Sequence, residues 1–585
     1  METNGGLMRP ETMKRPNIVF VLTDDQGYGD LGCHGNPIIQ TPNLDQFHNE
    51  SIRFTNYHVG PTCAPTRAGL MTGHYANSTG VWHTFGGRSL LRRNEWTLAS
   101  ALSENGYRTG IFGKWHLGDN YPYRPFDRGF DVSITHGGGG ISQTPDYWGN
   151  DYFSDKYSVN GKLKQFDGYC TDVFFDEGMK FIEENRNNSF FCYIALNAPH
   201  VPLNIAPEYY EIYKGKTDFK KARFYGMITN IDENFGILRK KLKELELEDN
   251  TVLIFMTDNG SDSGVEIDEN CFVTSGYNAG LRGKKLSEYD GGHRVPFFIN
   301  WPRGIREINE LTANVDFMPT ILDICGIEKR GNIEFHGKSL VPLLRGEGGW
   351  EERVLVTDNQ RHPTPIKWNK SAVMTQKWRL INGCELYDMD TDREQRNDLS
   401  AKYPEVIENL CKEYEKWWEI VSKQYDEMIP IPIGKNPVTL LSQDMRNQEC
   451  IAAHSQHQVR LGLKALGYWE VEIEEEGEYE FEIRRWPASH ERPISAGIDG
   501  DDIEFYREGV SESDWYRYTG GVALPIKQAS IKIQDTKMSS GISPDSMAAS
   551  FIISLKSGEC KLYASFGNDN THELLAPYFI YVRKK

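Results

Sequence analysis

Two short apolar runs, far apart in the chain, end in the same way. Ile18-Val19-Phe20-Val21-Leu22 leads into Thr23-Asp24-Asp25-Gln26-Gly27, and Val252-Leu253-Ile254-Phe255-Met256 leads into Thr257-Asp258-Asn259-Gly260. Runs of this length read as strands buried on both faces, the pattern of a mostly parallel sheet. Carboxylates at the ends of such strands are costly unless a charge compensates them. In open α/β sheets, ligands gather at the carboxyl ends of the strands. Three carboxylates and an amide, without His or Cys, form a hard oxygen set suited to Ca2+ or Mg2+ rather than zinc. The plain alternative is that the acids cap the helices that follow; it accounts for either pair alone, and the recurrence weakens it.

The same pattern extends along the first part of the chain. Phe191-Cys192-Tyr193-Ile194-Ala195-Leu196 is a third such run, and helical spacing covers residues 172–184 and 221–247. Strands alternating with helices predict an α/β domain over residues 14–350, a large sheet flanked by helices. Residues 351–428 predict a smaller α+β subdomain. It holds a strand candidate, Trp378-Arg379-Leu380-Ile381, and a helix opened by Pro404 in which Val406, Ile407, Leu410, Tyr414, Trp417 and Trp418 recur at helical spacing. Ile429-Pro430-Ile431-Pro432-Ile433-Gly434 reads as an extended linker, since proline blocks both helix and central strand. Over residues 437–585 the period drops to two. Trp469, Val471 and Ile473 alternate with glutamates, as do Tyr479, Phe481 and Ile483 with Glu480, Glu482 and Arg484. This predicts a hairpin turning at Glu475-Glu476-Gly477, with further strands near 529–533, 549–555 and 578–583, in an appended all-β sandwich.

Charge and hydropathy exclude two kinds of partner. Lys plus Arg number 65 against 83 Asp plus Glu, a net charge of −18. Such a surface repels phosphate backbones, so no nucleic acid is expected, and an anionic substrate needs a locally basic pocket. No apolar run approaches about 18 residues, so no membrane span is expected. Met1 to Pro16 is polar and lacks the apolar stretch of a secretory signal, which points to the cytoplasm as the chain stands, or to the periplasm or secretion if a signal was trimmed. None of the ten cysteines forms C-x-x-C, against a zinc ribbon or redox dithiol. Gly27-Tyr28-Gly29-Asp30-Leu31-Gly32 fits the dinucleotide fingerprint, but Asp24 and Asp25 just before it would repel a pyrophosphate. Its glycines are read as letting the backbone turn near the metal.

Cys63 stands apart from the other cysteines. It lies in Pro61-Thr62-Cys63-Ala64-Pro65-Thr66-Arg67-Ala68-Gly69-Leu70-Met71-Thr72-Gly73. Pro65 is placed to begin a helix, with Cys63 at its electropositive end and Arg67 about one turn away. Such an end stabilises an anion or thiolate. The stretch, C-x-P-x-R-x-x-L-x-T-G, resembles the signature of the type I sulfatases, formylglycine-dependent arylsulfatases of the alkaline-phosphatase-like superfamily. Further segments match that family in its order: Asp24-Asp25, Gly113-Lys114-Trp115-His116-Leu117-Gly118, Ala198-Pro199-His200-Val201-Pro202, Asp258-Asn259-Gly260, Leu281-Arg282-Gly283-Lys284-Lys285 and Gly291-Gly292-His293-Arg294-Val295-Pro296. The likeness spans about residues 14 to 425 and includes Cys384-Glu385-Leu386-Tyr387-Asp388 near its end.

The resemblance implies an alkaline-phosphatase-like fold and hydrolysis of a sulfate ester. In the family the cysteine, here Cys63, is oxidised to formylglycine by a formylglycine-generating enzyme, and its hydrated aldehyde is the nucleophile. Carried over, Asp24, Asp25, Asp258 and Asn259 would hold Ca2+ or Mg2+ together with modified Cys63. Lys114 and Lys285 would grip the sulfate, and Arg67 would orient the hydrated side chain. His200, aided by Lys285, would protonate the leaving oxygen, and His116 would deprotonate the second hydroxyl. Two departures stand out. Lys284 replaces the second glycine of the family's usual G-G-K, so two lysines compete, and the spacing to Tyr289 and Gly291-Gly292 favours Lys285. Asp290 stands where glutamate is commoner. The expected substrate is a sulfated carbohydrate, because sandwiches of this type often accompany carbohydrate-active domains. Tyr147 and Trp148, in the loop after Gly137-Gly138-Gly139-Gly140, are candidates to stack on a pyranose. Two other readings are a phosphodiesterase or phosphonate hydrolase using the same aldehyde and metal, and a non-catalytic glycan-binding relic. The complete set of ligands, lysines and histidines speaks against the relic.

Overall fold

The computed structural model describes residues 15–301, 304–571 and 573–585, so most of the polar N-terminal stretch read for a signal lies outside the described residues. The main sheet has ten strands, in the order Arg306–Ile308, Ile52–Phe54, Phe297–Asn300, Thr251–Thr257, Asn17–Thr23, Phe190–Ala195, Arg108–Gly113, Val132–Thr135, Lys156–Val159 and Lys162–Gln165. The middle five, Thr251–Thr257 to Val132–Thr135, run parallel. Antiparallel strands flank them on both sides, which makes the sheet mixed. Among the described residues no helix is long and apolar enough to cross a membrane.

Alternation along the strands sends side chains into two apolar layers. Ile18, Phe20 and Leu22 pack with Ala64, Ala68, Leu70 and Met71 of the helix Cys63–Thr72. Val19 and Val21 face the opposite layer, under the helices Cys170–Glu184 and Phe219–Glu244. Asp218 caps the longer of these by accepting from the Lys221 amide. That helix stops at Glu244, short of the expected residue 247, and Glu246 beyond it takes φ 56°.

A four-stranded antiparallel sheet follows, Leu355–Asp358, Ser371–Met374, Trp378–Ile381 and Glu385–Asp388 in order. The helix Pro404–Val421 covers it, burying Leu410, Tyr414, Trp417 and Val421 at the expected spacing. The C-terminal region is a sandwich of a five-stranded and a four-stranded sheet around one core.

Three expectations need correction. Residues 429–434 are not a linker: Ile431–Ile433 forms the edge strand of the five-stranded sheet, pairing with Val471 to Ile473, so the sandwich begins before residue 437. Pro432 is tolerated there because an edge strand has only one partner. The two alternating segments are not a hairpin either. Trp469–Ile473 belongs to the five-stranded sheet and Gly477–Arg484 to the facing one. Both bury their apolar side in the same core from opposite sides, so Glu475-Glu476 arches between sheets. Trp148 does not await a sugar. It is buried between Trp486 and His490 of the sandwich, with Arg460 4.8 Å above its ring. One face of Tyr147 is likewise taken, with Lys156 Nζ 4.4 Å from the ring centre.

Candidate active site

Register assembles the site. Thr23 pairs with Thr257 across parallel strands, so Asp24-Asp25 and Asp258-Asn259 leave the sheet side by side. Gly113 pairs with Ala195 on the other flank, which brings Lys114 to the same edge. The backbone is knitted beyond the strands: the Asp258 amide donates to the Thr23 carbonyl at 3.1 Å, and Lys114 N to Ala195 O at 2.6 Å. Asp25 and His116 both adopt left-handed backbone, with φ 68° and 63°. Non-glycine residues are held there only when their surroundings dictate it, as functional sites often do.

The side chains form a buried ionic lattice. Lys114 Nζ lies 2.6 Å from Asp24 Oδ2, and Lys285 Nζ 2.6 Å from Asp25 Oδ2. Arg67 donates from Nε and Nη2 to Asp258 Oδ2 at 3.2 and 2.9 Å, and from Nη1 to the Lys114 carbonyl at 3.0 Å. Asn259 Nδ2 donates to Asp25 Oδ1 at 3.0 Å, and His200 Nε2 lies 3.6 Å from Asp25 Oδ2. Lys284 points elsewhere, donating to the carbonyls of Asp262 and Val265, so Lys285 is the lysine in the site.

Two histidines have their tautomers fixed by a carbonyl. His116 Nε2 donates to Thr84 O at 2.9 Å, leaving the Nδ1 lone pair 3.3 Å from Cys63 Sγ. Gly139 makes room for that ring, since a Cβ there would lie 2.3 Å from it. His200 Nδ1 donates to Val201 O at 2.6 Å, so Nε2 faces Asp25. Burial, followed by the charge of Lys114, drives the His116 pKa far down. Burial also lowers His200, with Asp25 pulling the other way.

Burial and neighbouring carboxylates lift Asp24 and Asp258 to about 7, against Lys114 and Arg67. Burial acts the same way on Asp25, yet Lys285, His200 and Lys114 hold it well below the usual carboxylate range. Asp24 Oδ1 and Asn259 Oδ1 are buried without a hydrogen-bond partner. Asp24, Cys63 and Asp258 each bring a ligand atom within 4.8 Å of the others. Carboxyls resisting ionisation beside two unsatisfied hard oxygens fit a divalent hard cation.

The sequence-derived catalytic and metal-binding candidates thus lie in one buried cluster, whereas Tyr147 and Trp148 lie outside it. The fingerprint glycines serve close packing: a Cβ on Gly27 would lie 2.5 Å from Ser261 N, and one on Gly29 2.6 Å from Tyr277 O. Asp290 sits apart, bound to Arg294 and Arg379. The role of the Thr84 carbonyl escaped sequence reasoning, having no side-chain signal; the run of four glycines around Gly139 was the available hint.

The family model described as Sulfatase matches residues 16–327. The chain belongs to the sulfatase family. A second model, N-sulphoglucosamine sulphohydrolase, C-terminal, matches residues 280–419 of this sulfatase. It is 27% identical to mouse Arylsulfatase J over 477 residues, 69% of this chain and 76% of that protein. It is 25% identical to N-acetylglucosamine-6-O-sulfatase of Bacteroides thetaiotaomicron, covering 72% of this chain and 88% of that one. Ps i-CgsB, solved in complex with k-i-k-neocarrahexaose, superposes with TM-score 0.62 at 26% identity over 71% of this chain and 94% of that one. The family makes the protein a sulfuric ester hydrolase.

Proposed function

We propose that this sulfatase removes sulfate from a sulfated carbohydrate, using Cys63 converted to formylglycine and a Ca2+ ion. The observation that carries the reading is the aim of the His116 Nδ1 lone pair at Cys63 Sγ, 3.3 Å away, inside a pit walled by Lys114, Lys285 and Arg67. The carbohydrate preference is supported by the named sugar sulfatase and carrahexaose complex among its relatives.

Asp24, Asp25, Asp258 and Asn259 would hold the cation, which supplies charge to polarise a sulfate oxygen and lower the pKa of the attacking hydroxyl. The hydrated aldehyde would supply two hydroxyls on one carbon, one to attack sulfur and one whose deprotonation expels sulfate and restores the aldehyde, which water then rehydrates for the next turnover. The remaining work falls to the chain's own side chains. Lys114 and Lys285, already fixed by Asp24 and Asp25, face the sulfuryl oxygens as a preorganised clamp that needs no rearrangement at the moment of reaction. Arg67 locks the Lys114 carbonyl and Asp258 in place beneath the nucleophile. His200 Nε2 gives a proton to the departing sugar oxygen; burial lowers its pKa, and Asp25 at 3.6 Å opposes that shift. His116, held neutral, accepts the second hydroxyl proton at Nδ1.

Intact-mass analysis of the Cys63 peptide from native cells is expected to show replacement of the thiol by an aldehyde oxygen. Parallel assays are expected to favour 4-nitrophenyl sulfate over a nitrophenyl phosphodiester. An unmodified thiol together with diester preference would sink the proposal.

A further inference from the structure

Above the pit, three separate parts of the chain meet. Phe85 follows Thr84, whose carbonyl fixes His116. His454, from the C-terminal region, stacks on Phe85 with ring centres 4.7 Å apart and planes 7° from parallel. Arg361, from the smaller subdomain, lies with its guanidinium 5.6 Å from the Phe85 ring centre.

The loop carrying Arg361 is tied on both sides to the catalytic segments. Asn359 Nδ2 donates to Leu286 O at 2.8 Å, next to Lys285, and the Leu286 amide donates to Pro61 O at 3.0 Å, just before Cys63. On the other side, Trp82 Nε1 donates to His362 O at 3.1 Å. Gln360 braces the loop from within, bonding both the amide and carbonyl of Ile366 at 2.8 Å. His454 is held by the loop whose glycines border the catalytic histidines: its carbonyl accepts from Thr144 N at 3.0 Å, and a Cβ on Gly140 would lie 3.6 Å from His200 Nδ1. Partial burial lowers the Arg361 pKa, and the nearness of Cys63 acts the other way.

Arg361 is exposed, and among the described residues no carboxylate pairs with it. In a chain of net charge −18, with acids to spare, an unpaired guanidinium on a braced loop beside the nucleophile is conspicuous. A guanidinium presents a planar fork that matches sulfate and carboxylate. We propose that Arg361, seated on Phe85 beside His454, is a second anion subsite, taking a sulfate or carboxylate group on the same or the adjoining sugar of the substrate. This rests on the carbohydrate reading above and narrows it to sugars that carry two negative charges. It also gives the C-terminal region a part in substrate contact, through His454.

The test compares the wild-type enzyme with Arg361→Gln by calorimetry, using inorganic sulfate, dextran sulfate oligosaccharides and oligogalacturonate as probes. The affinity for one of the two oligomers, relative to inorganic sulfate, is expected to fall by about tenfold or more in the variant. Loss confined to dextran sulfate identifies a sulfate subsite, and loss confined to oligogalacturonate a carboxylate subsite. Arg361→Lys, which keeps the charge without the fork, is expected to recover part of the loss. The proposal is overturned if neither oligomer binds the wild type, if both ratios stay within about twofold, or if inorganic sulfate weakens by the same factor. Binding does not require turnover. Failure of the wild type to hydrolyse 4-nitrophenyl sulfate would therefore count against the proposed function while leaving this comparison intact.

Discussion

This sulfatase buries two ionic clusters of similar composition, and they are built to opposite ends. In the pit, three aspartates face two lysines and an arginine, with two oxygens unpaired and two residues in left-handed backbone. Around Asp290, one carboxylate is divided between Arg379 at 3.0 Å and Arg294 at 3.1 Å, and the Asp290 amide donates to Gln395 Oε1 at 2.9 Å. His58 and His293 close that knot, Nδ1 to Nδ1 at 2.9 Å, with Arg379 Nη2 3.1 Å from His58. Its guanidiniums and imidazoles hold Asp290 far below the usual carboxylate range in spite of burial. The knot has paired its charged groups with one another, leaving Gln395 Nε2 as its buried atom without a partner, and joins the smaller subdomain to the main sheet. The pit keeps capacity in reserve, which is what a ligand requires.

Substitutions that separate activity from stability sharpen this contrast. Cys63→Ala is expected to lower turnover on the order of 10^6-fold, as removal of a nucleophile does, with an almost unchanged urea midpoint. A variant that unfolds instead would merge the two clusters into one structural class. His200→Gln is expected to cost about 10^2- to 10^4-fold in kcat on a sulfated sugar. The loss should be much smaller on 4-nitrophenyl sulfate, whose phenolate leaves without an acid; equal losses would remove His200 from that role. Asp290→Asn leaves two buried guanidiniums uncompensated and is expected to lower folding stability by about 3–5 kcal/mol. The activity of the molecules that remain folded should persist, and urea denaturation alongside single-substrate kinetics checks both halves.

Another buried acid, Asp444, belongs to neither class. Burial, with Asp119 adding to it, lifts Asp444 to about 8. Because its folded value lies above its unfolded value of 3.8, the folded state keeps a proton that the unfolded chain loses between those two limits. Its contribution to stability therefore declines as pH rises from about 4 to 8, by up to about 1.4 kcal/mol per pH unit. Asp444→Asn is expected to flatten that slope in denaturant titrations across the same range. An unchanged slope would show that the carboxyl is not held protonated.

The acidic pairs of the pit were legible because they sit at strand ends, where an acid after an apolar run either caps a helix or holds a ligand, and two such pairs favour the ligand; its lysines and histidines were placed by the family resemblance. The choice of Lys285 over Lys284 came from spacing within the family's motif, and the structure places Lys285 against Asp25. Strand pairing in the sandwich was not: alternation in Trp469–Ile473 and Tyr479–Ile483 reports which side is buried, and two strands burying the same core from facing sheets carry the same pattern. Ile431–Ile433 was hidden because proline forbids a central strand but not an edge. Trp148 misled because an aromatic residue in a loop looks alike whether it meets a sugar or another domain, and the Trp486 that covers it lies far away in sequence. Arg361 carried no motif, since what distinguishes it is the company it lacks.

The pairing of Thr23 with Thr257 has a lasting consequence. Sliding one of these strands by a single residue would invert every side chain along it and bury Asp24 in the hydrocarbon layer. The cation's seat is therefore inherited whole from the weave of the central strands and cannot drift by small steps. Diversification is left to the rim, where loops can change without shifting the register that sets the chemistry below.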